Sequence, residues 1–164
     1  MAIDIGAACI DRSSTFTFPV TLIGKDTPAN ASGIITTVEI WSITFYDLVN
    51  CIVGTFYTTN GNTLKCRDSA TIGAVVGGAK RTFTQDSGSN PLAITVVESD
   101  YIGIYATAGR IERHASGYAG LWYIAAEHID PGDEATYSFA VGDAISLHGI
   151  GEEAAVFIPT IAII

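Results

Sequence analysis

Cys51-Ile-Val-Gly-Thr-Phe-Tyr-Thr-Thr-Asn60-Gly61-Asn62-Thr-Leu-Lys-Cys-Arg67 decides how this chain is read. β-Branched and aromatic residues crowd both arms, and an Asn-Gly pair sits between them. That pair is the strongest short-range hairpin signal, because both central residues of a type I′ turn take positive φ. With Asn60-Gly61 as a two-residue turn, Thr59 faces Asn62, Cys51 falls opposite Ala70 and Cys66 opposite Thr55. The two thiols then stand too far apart to bond, whereas a longer loop would bring them together. The third cysteine, Cys9, makes the count odd, which rules out a closed disulfide framework, and no Cys-x-x-Cys spacing suggests zinc. Free thiols are the expectation.

Strand signals continue on both sides of the hairpin. Upstream, Val38, Ile40 and Ser42 alternate with Glu39, Trp41 and Ile43 in the run 33–43. Downstream, strands are expected near 71–76, 80–84, 92–97, 101–107, 110–113, 120–125, 136–140, 143–148 and 154–163. Between them lie turn compositions: Gly77-Gly78, Ser87–Pro91, Gly109, Ser116-Gly117, Asp130–Asp133 and Gly149–Gly151. Glycine supplies positive φ there, proline fixes φ, and Asn or Asp bonds its own backbone. Only Tyr46–Val53 and Leu121–His128 compete as helices, and neither has a cap followed by a 3.6-residue period. Short strands at such regular intervals predict an all-β chain, a single antiparallel β-sandwich of jelly-roll type spanning 1–164.

Composition narrows the function. The chain has 164 residues, 48% hydrophobic and 15% charged, which is far too apolar for disorder. Eight Lys plus Arg stand against 17 Asp plus Glu, a net charge of −9. A phosphate backbone or an anionic membrane surface is repelled by such a balance, so neither nucleic acid nor membrane is expected as a partner. No basic leader with an apolar run precedes Cys9, so no signal peptide is visible.

Catalytic motifs are missing from the sequence. It holds no Gly-x-Ser-x-Gly elbow and no His-Glu-x-x-His. Gly73–Lys80 fails as a phosphate loop because Ala79 separates Gly78 from Lys80 and Arg81 follows the lysine. His114, His128 and His148 read as surface or capping residues. Glu39, Glu98, Glu112 and Glu127 are the acids a glycosidase pair would draw on, but the expectation is a non-enzyme. Two binding sites are weighed instead. Trp41, Trp122 and Tyr123 could stack on sugar rings. Glu127, Asp130, Asp133 and Glu134, four carboxylates on one turn, could hold calcium, though not at EF-hand spacing. Together they make a calcium-dependent carbohydrate-binding module the alternative reading; otherwise no cofactor is expected.

The segment 154–164 is too apolar to hang in water. It reads as a last strand of the chain's own sandwich, or as an arm completing a neighbour. Val156, Phe157, Ile158, Ile161, Ile163 and Ile164 are its assembly residues, and Pro159 suits an edge or exchanged strand because it cannot donate to a central ladder.

Val38-Glu-Ile-Trp41, Arg67-Asp-Ser-Ala-Thr-Ile-Gly73, Asp100-Tyr-Ile-Gly-Ile-Tyr105 and Gly142-Asp-Ala-Ile-Ser-Leu147 span most of the chain. In these stretches it resembles a group of largely uncharacterised all-β proteins of tailed phages and phage-like metagenomic sequences. Ser99 departs from the glycine expected before Asp100. The resemblance implies a structural protein of a virion or other extracellular assembly: a capsid decoration, tail or fibre module. Its partners would be copies of itself or other virion proteins, met through strand edges and apolar termini. It carries no catalytic residues.

Overall fold

The computed structural model describes residues 2–155. Its first strands are β1 (Ala2–Ile5), β2 (Ser14–Thr17), β3 (Thr21–Gly24), β4 (Gly33–Trp41), β5 (Leu48–Asn60) and β6 (Thr63–Val75). Next come β7 (Lys80–Phe83), β8 (Ile94–Val96), β9 (Tyr101–Tyr105), β10 (Arg110–His114) and β11 (Leu121–Ile124). The last are β12 (Glu134–Thr136), β13 (Ser138–Ala140), β14 (Ala144–Ile145) and β15 (Leu147–Glu153). Every ladder is antiparallel.

A five-stranded sheet, β1-β15-β4-β7 with β8 also on β4, packs on a seven-stranded sheet, β12-β6-β5-β9-β3-β11-β13. Between the two layers Ile3, Ile5, Ile35, Val38, Ile40 and Leu147 meet Leu22, Val53, Ile102, Ile104 and Leu121 in one buried core. The antiparallel sandwich read from the sequence is there, and alternation puts one residue in two of each strand into it.

The larger sheet does something further. Its edge strands β12 and β13 are halves of one segment, Glu134–Ala140, split only at Tyr137. The first half pairs with β6 and the second with β11, so the two edges are joined. Residues facing away from the main core enclose a second core: Ile23, Phe56, Leu64, Cys66, Trp122, Ile129 and Tyr137. One layer of the sandwich is therefore a small closed barrel, which removes its strand edges.

The hairpin differs from the expected register. Asn60 pairs with Thr63, so the turn residues are Gly61 and Asn62. Only Gly61 has positive φ (60°), the pattern of a type II′ turn. Bulges along β5–β6 shift the ladder, placing Cys51 opposite Gly73 and Cys66 opposite Phe56. The thiols stay apart, and all three cysteines are free. Burial, with the Glu39 charge second, pushes the Cys9 thiol up to about 12. Burial first, then Asp133 and Asp68, does the same to Cys66.

Gly149–Gly151, expected as a turn, lies inside β15. A side chain at Gly151 would collide with the Ile34 carbonyl, and one at Gly33 with the Glu152 carbonyl, so β4 and β15 approach closely at the bulge between Ile150 and Gly151. The helix alternatives at 46–53 and 121–128 hold strands β5 and β11 instead. Ser99 has φ 76°, a conformation that favours glycine, the residue expected there.

Exposed edges are capped by side chains. Asn30 accepts from the Asp4 N–H and donates to the Ala2 carbonyl, standing in for a neighbouring strand along β1. On β8, Asp68 accepts from the Thr95 N–H and the Thr55 hydroxyl donates to the Thr95 carbonyl. Such caps oppose edge-to-edge pairing with other chains.

Candidate functional site

The three aromatics proposed as a sugar platform do not converge. Trp122 is 2% exposed inside the barrel, edge-on to Tyr101 and Phe139, and its indole N–H donates to Asn62 at 3.0 Å. No ring face is left for a ligand. Tyr123, the next residue, points to the opposite side of the sheet and packs against the main core and Phe16. Trp41 is half-buried at the end of β4, in the other layer. Adjacent strand residues face opposite sides, so Trp122 and Tyr123 could never have shared one platform.

The acidic turn is partly as expected. One carboxylate oxygen each from Glu127, Asp130 and Asp133 lies within 4.8 Å of the others. The turn is fastened by its own backbone: Asp133 N–H donates to the Asp130 carbonyl, and Cys66 exchanges hydrogen bonds with Gly132 and Asp133. Glu127 accepts from the Ile129 N–H at 2.7 Å and Asp133 from the Asp130 N–H at 3.1 Å. Glu134 is outside the group, opposite Lys65 at the start of β12. Chemically, three such carboxylates offer hard oxygens of the type calcium takes. Below the turn, the Tyr137 hydroxyl is buried in the barrel with no hydrogen-bond partner among the described residues.

A second polar cluster lies elsewhere, and of its members the sequence had singled out His114 and Glu112. The three-stranded sheet β14-β10-β2 continues the small layer, joined to β4 by a bridge between Ser42 and Ile111. Against it lies Arg12, 8% exposed. Its guanidinium donates to the Ser146 hydroxyl (2.8 Å), the Ala8 carbonyl (2.6 Å) and His114 Nδ1 (2.8 Å). Arginine has no acceptor, so His114 Nδ1 must accept and the ring carries its proton on Nε2. Tyr118 stacks on His114 and lies under the guanidinium. Glu112, 3% exposed, accepts from the Arg12 N–H. Serine, histidine and acid are present but not in relay: Arg12 stands between Ser146 and His114, so neither can pass a proton to the other. The cluster fastens residues 8–12 to the sheet. His148 is likewise held in place, between Asp4 and the Gly6 carbonyl.

Burial raises the Glu112 carboxyl above its ordinary 4.5, against the lowering effect of the Arg12 N–H. A raised folded pKa means the native state binds this proton more tightly than the unfolded chain. Glu112 therefore favours folding most below about 4.5, and that contribution is lost as pH rises through the folded value. In Glu112→Gln, unfolding free energy measured by urea titration should fall less between pH 4.5 and pH 7 than in the wild type. Parallel curves for the two proteins would contradict this.

Sequence reading missed the most exposed aromatic among the described residues. Phe45 is 94% exposed, and its φ is 71°. Its loop is ordered: Tyr46 N–H donates to the Ile43 carbonyl, and Asp47 accepts from the Gly77 N–H. That last bond brings the loop beside Val76, 56% exposed; Tyr46 and Val49, each 44% exposed, follow along the chain. Arg110 lies over the Tyr46 ring at 4.1 Å. No periodicity marks a lone loop phenylalanine, so the signal exists only in three dimensions. Comparison of the chain with protein-family models, curated proteins and solved structures returns no match.

Proposed function

We propose that the chain is a non-enzymatic structural module of a virion or similar extracellular assembly, binding copies of itself or neighbouring proteins. The observation that carries this is Phe45. A bulky residue in the left-handed region costs about 1–2 kcal/mol, and a ring left in water forgoes about 1.5–3 kcal/mol of burial. Nothing within the described residues offsets either cost, and aromatic anchors of this kind are what protein interfaces bury. Tyr46, Val49 and Val76 add apolar surface around it, and the capped edges of β1 and β8 favour contact through side chains over strand pairing.

The test is Phe45→Asn, since asparagine tolerates positive φ. The variant should be more stable than wild type by about 1 kcal/mol in urea, yet its self-association should weaken in light scattering and sedimentation. Unchanged association would remove Phe45 from the interface. A wild type that stays monomeric at the highest soluble concentration, and binds no assembly protein, would sink the proposal.

A further inference from the structure

The acidic turn between β11 and β12 has one side in water and the other in the barrel. Ile129, in its first half, is fully buried in the second core, in the same cluster as Tyr137 and Cys66. Around it Glu127 and Asp130 are exposed and Asp133 is half-buried, with one oxygen of each within 4.8 Å of the others. Three like charges at that spacing repel one another. Among the described residues no lysine or arginine forms a salt bridge with any of them. By itself this would be no more than a solvated acidic turn.

Tyr137 makes the difference. It is 4% exposed, and its hydroxyl has no hydrogen-bond partner among the described residues. Buried hydroxyls are nearly always paired, because an unpaired one has given up water for nothing in return. The hydroxyl faces the inner side of the turn. Burial first, then Cys66, Asp133 and Glu127, hold its proton on, so two of the three acids are among the groups that reach it. Cys66 is itself tied to the turn, by its backbone to Gly132 and Asp133 and by its thiol to the Ile129 carbonyl at 3.4 Å. A buried donor thus stands unused beneath carboxylates, which only accept. Glu127 and Asp133 each take one backbone N–H on a single oxygen, so each retains a second.

We infer that Glu127, Asp130 and Asp133 bind one calcium ion, with the Tyr137 hydroxyl as the inner hydrogen-bond donor to the carboxylates that hold it. Calcium takes six to eight oxygens at about 2.3–2.6 Å, so its opposite ligands stand about 4.6–5.2 Å apart. Three carboxylate oxygens within 4.8 Å suit that shell, and water completes it. Magnesium, at about 2.0–2.1 Å and nearly octahedral, is served less well by ligands on an exposed turn. Neutralising the three charges lets a carboxylate turn its second oxygen inward, where the phenol can donate to it. Donors behind a metal ligand orient it and strengthen the site. The site goes beyond the assembly reading and does not depend on it.

The test is calorimetric titration of CaCl2 into the full chain, stripped with EDTA and held in a fixed NaCl background. One ion per chain is expected, with a Kd of about 10−4–10−3 M, the range of extracellular modules. Asp133→Asn still accepts the Asp130 N–H through its amide oxygen, yet should bind at least about tenfold more weakly, having lost a charged ligand. Tyr137→Phe should also weaken binding about tenfold. Its calcium-free Tm should not fall, since the change removes only an unpaired hydroxyl. Glu152→Gln removes the same charge from an exposed site at the end of β15 and should bind as wild type does. A wild type that neither binds calcium nor gains Tm at concentrations well above that range would overturn the site. So would wild-type affinity in Asp133→Asn or in Tyr137→Phe. Equal weakening by Glu152→Gln would mean that calcium only screens the acidic surface, and would overturn it too.

Discussion

Phe56→Ala should destabilise the fold by about 3–5 kcal/mol, the usual cost of emptying a buried aromatic site. Phe56 is fully buried in the barrel core, and total stabilities of single domains run to only about 5–15 kcal/mol. Its ring occupies the space that a side chain on Gly103 would take: a Cβ there would lie 2.6 Å from Phe56 Cε2 and 2.8 Å from the Leu22 carbonyl oxygen. Gly103→Ala is therefore also destabilising, by about 1–3 kcal/mol from overpacking. The two changes touch the same space, so they should not add. Phe56→Ala with Gly103→Ala should cost less than the sum of the single variants, while the backbone clash with Leu22 prevents full rescue. Urea midpoints for the four proteins measure this directly. Strict additivity would mean that the ring and the glycine are not packed as described.

Arg12→Ala comes next in size, at about 3 kcal/mol. The guanidinium satisfies three acceptors at once, and a hydrogen bond to a charged group contributes about 1.5–3 kcal/mol net of exchange with water, the three being less than additive because they share one side chain. Its removal also takes a positive charge from near the buried Glu112. Arg12→Lys should recover little, because one ammonium cannot present a planar fork to donors spread over Ser146, Ala8 and His114. A lysine variant as stable as wild type would show that charge alone matters here. Protease digestion offers a second measurement: with residues 8–12 unfastened, cleavage near Cys9 should precede global unfolding.

Much of the fold was legible because its signals are local. Most strands from β4 to β11 fall where β-branched alternation and turn residues placed them, and Asn60–Asn62 does turn the longest hairpin, whereas β12 was largely unforeseen and β15 runs through the glycines expected as a turn. β1, β2 and β3 were not foreseen. At four residues each they are too short for alternation to register, and long-range pairing with β15, β10, β9 and β11 makes them strands. The exact turn was missed by one residue, since bulges in the ladder, rather than Asn-Gly preference, set the register. The expected strand at 154–163 has no strand at Ala154 or Ala155, and its remaining residues lie outside those described.

For the candidate sites the division is similar. The sequence by itself determined an all-β chain, an odd cysteine count, an acidic composition and the gathering of Glu127, Asp130 and Asp133, because each depends on residues close in sequence or on composition. Only the tertiary structure decided that Trp122 is core rather than platform. The closure of Glu134–Ala140 across both edges of one sheet creates an interior where the sequence pattern alone showed two faces. It likewise decided that Arg12 and Ser146 meet across 134 positions, and that Phe45 stands in water on a left-handed backbone. Burial and long-range contact are properties of the closed fold, and no local pattern encodes them.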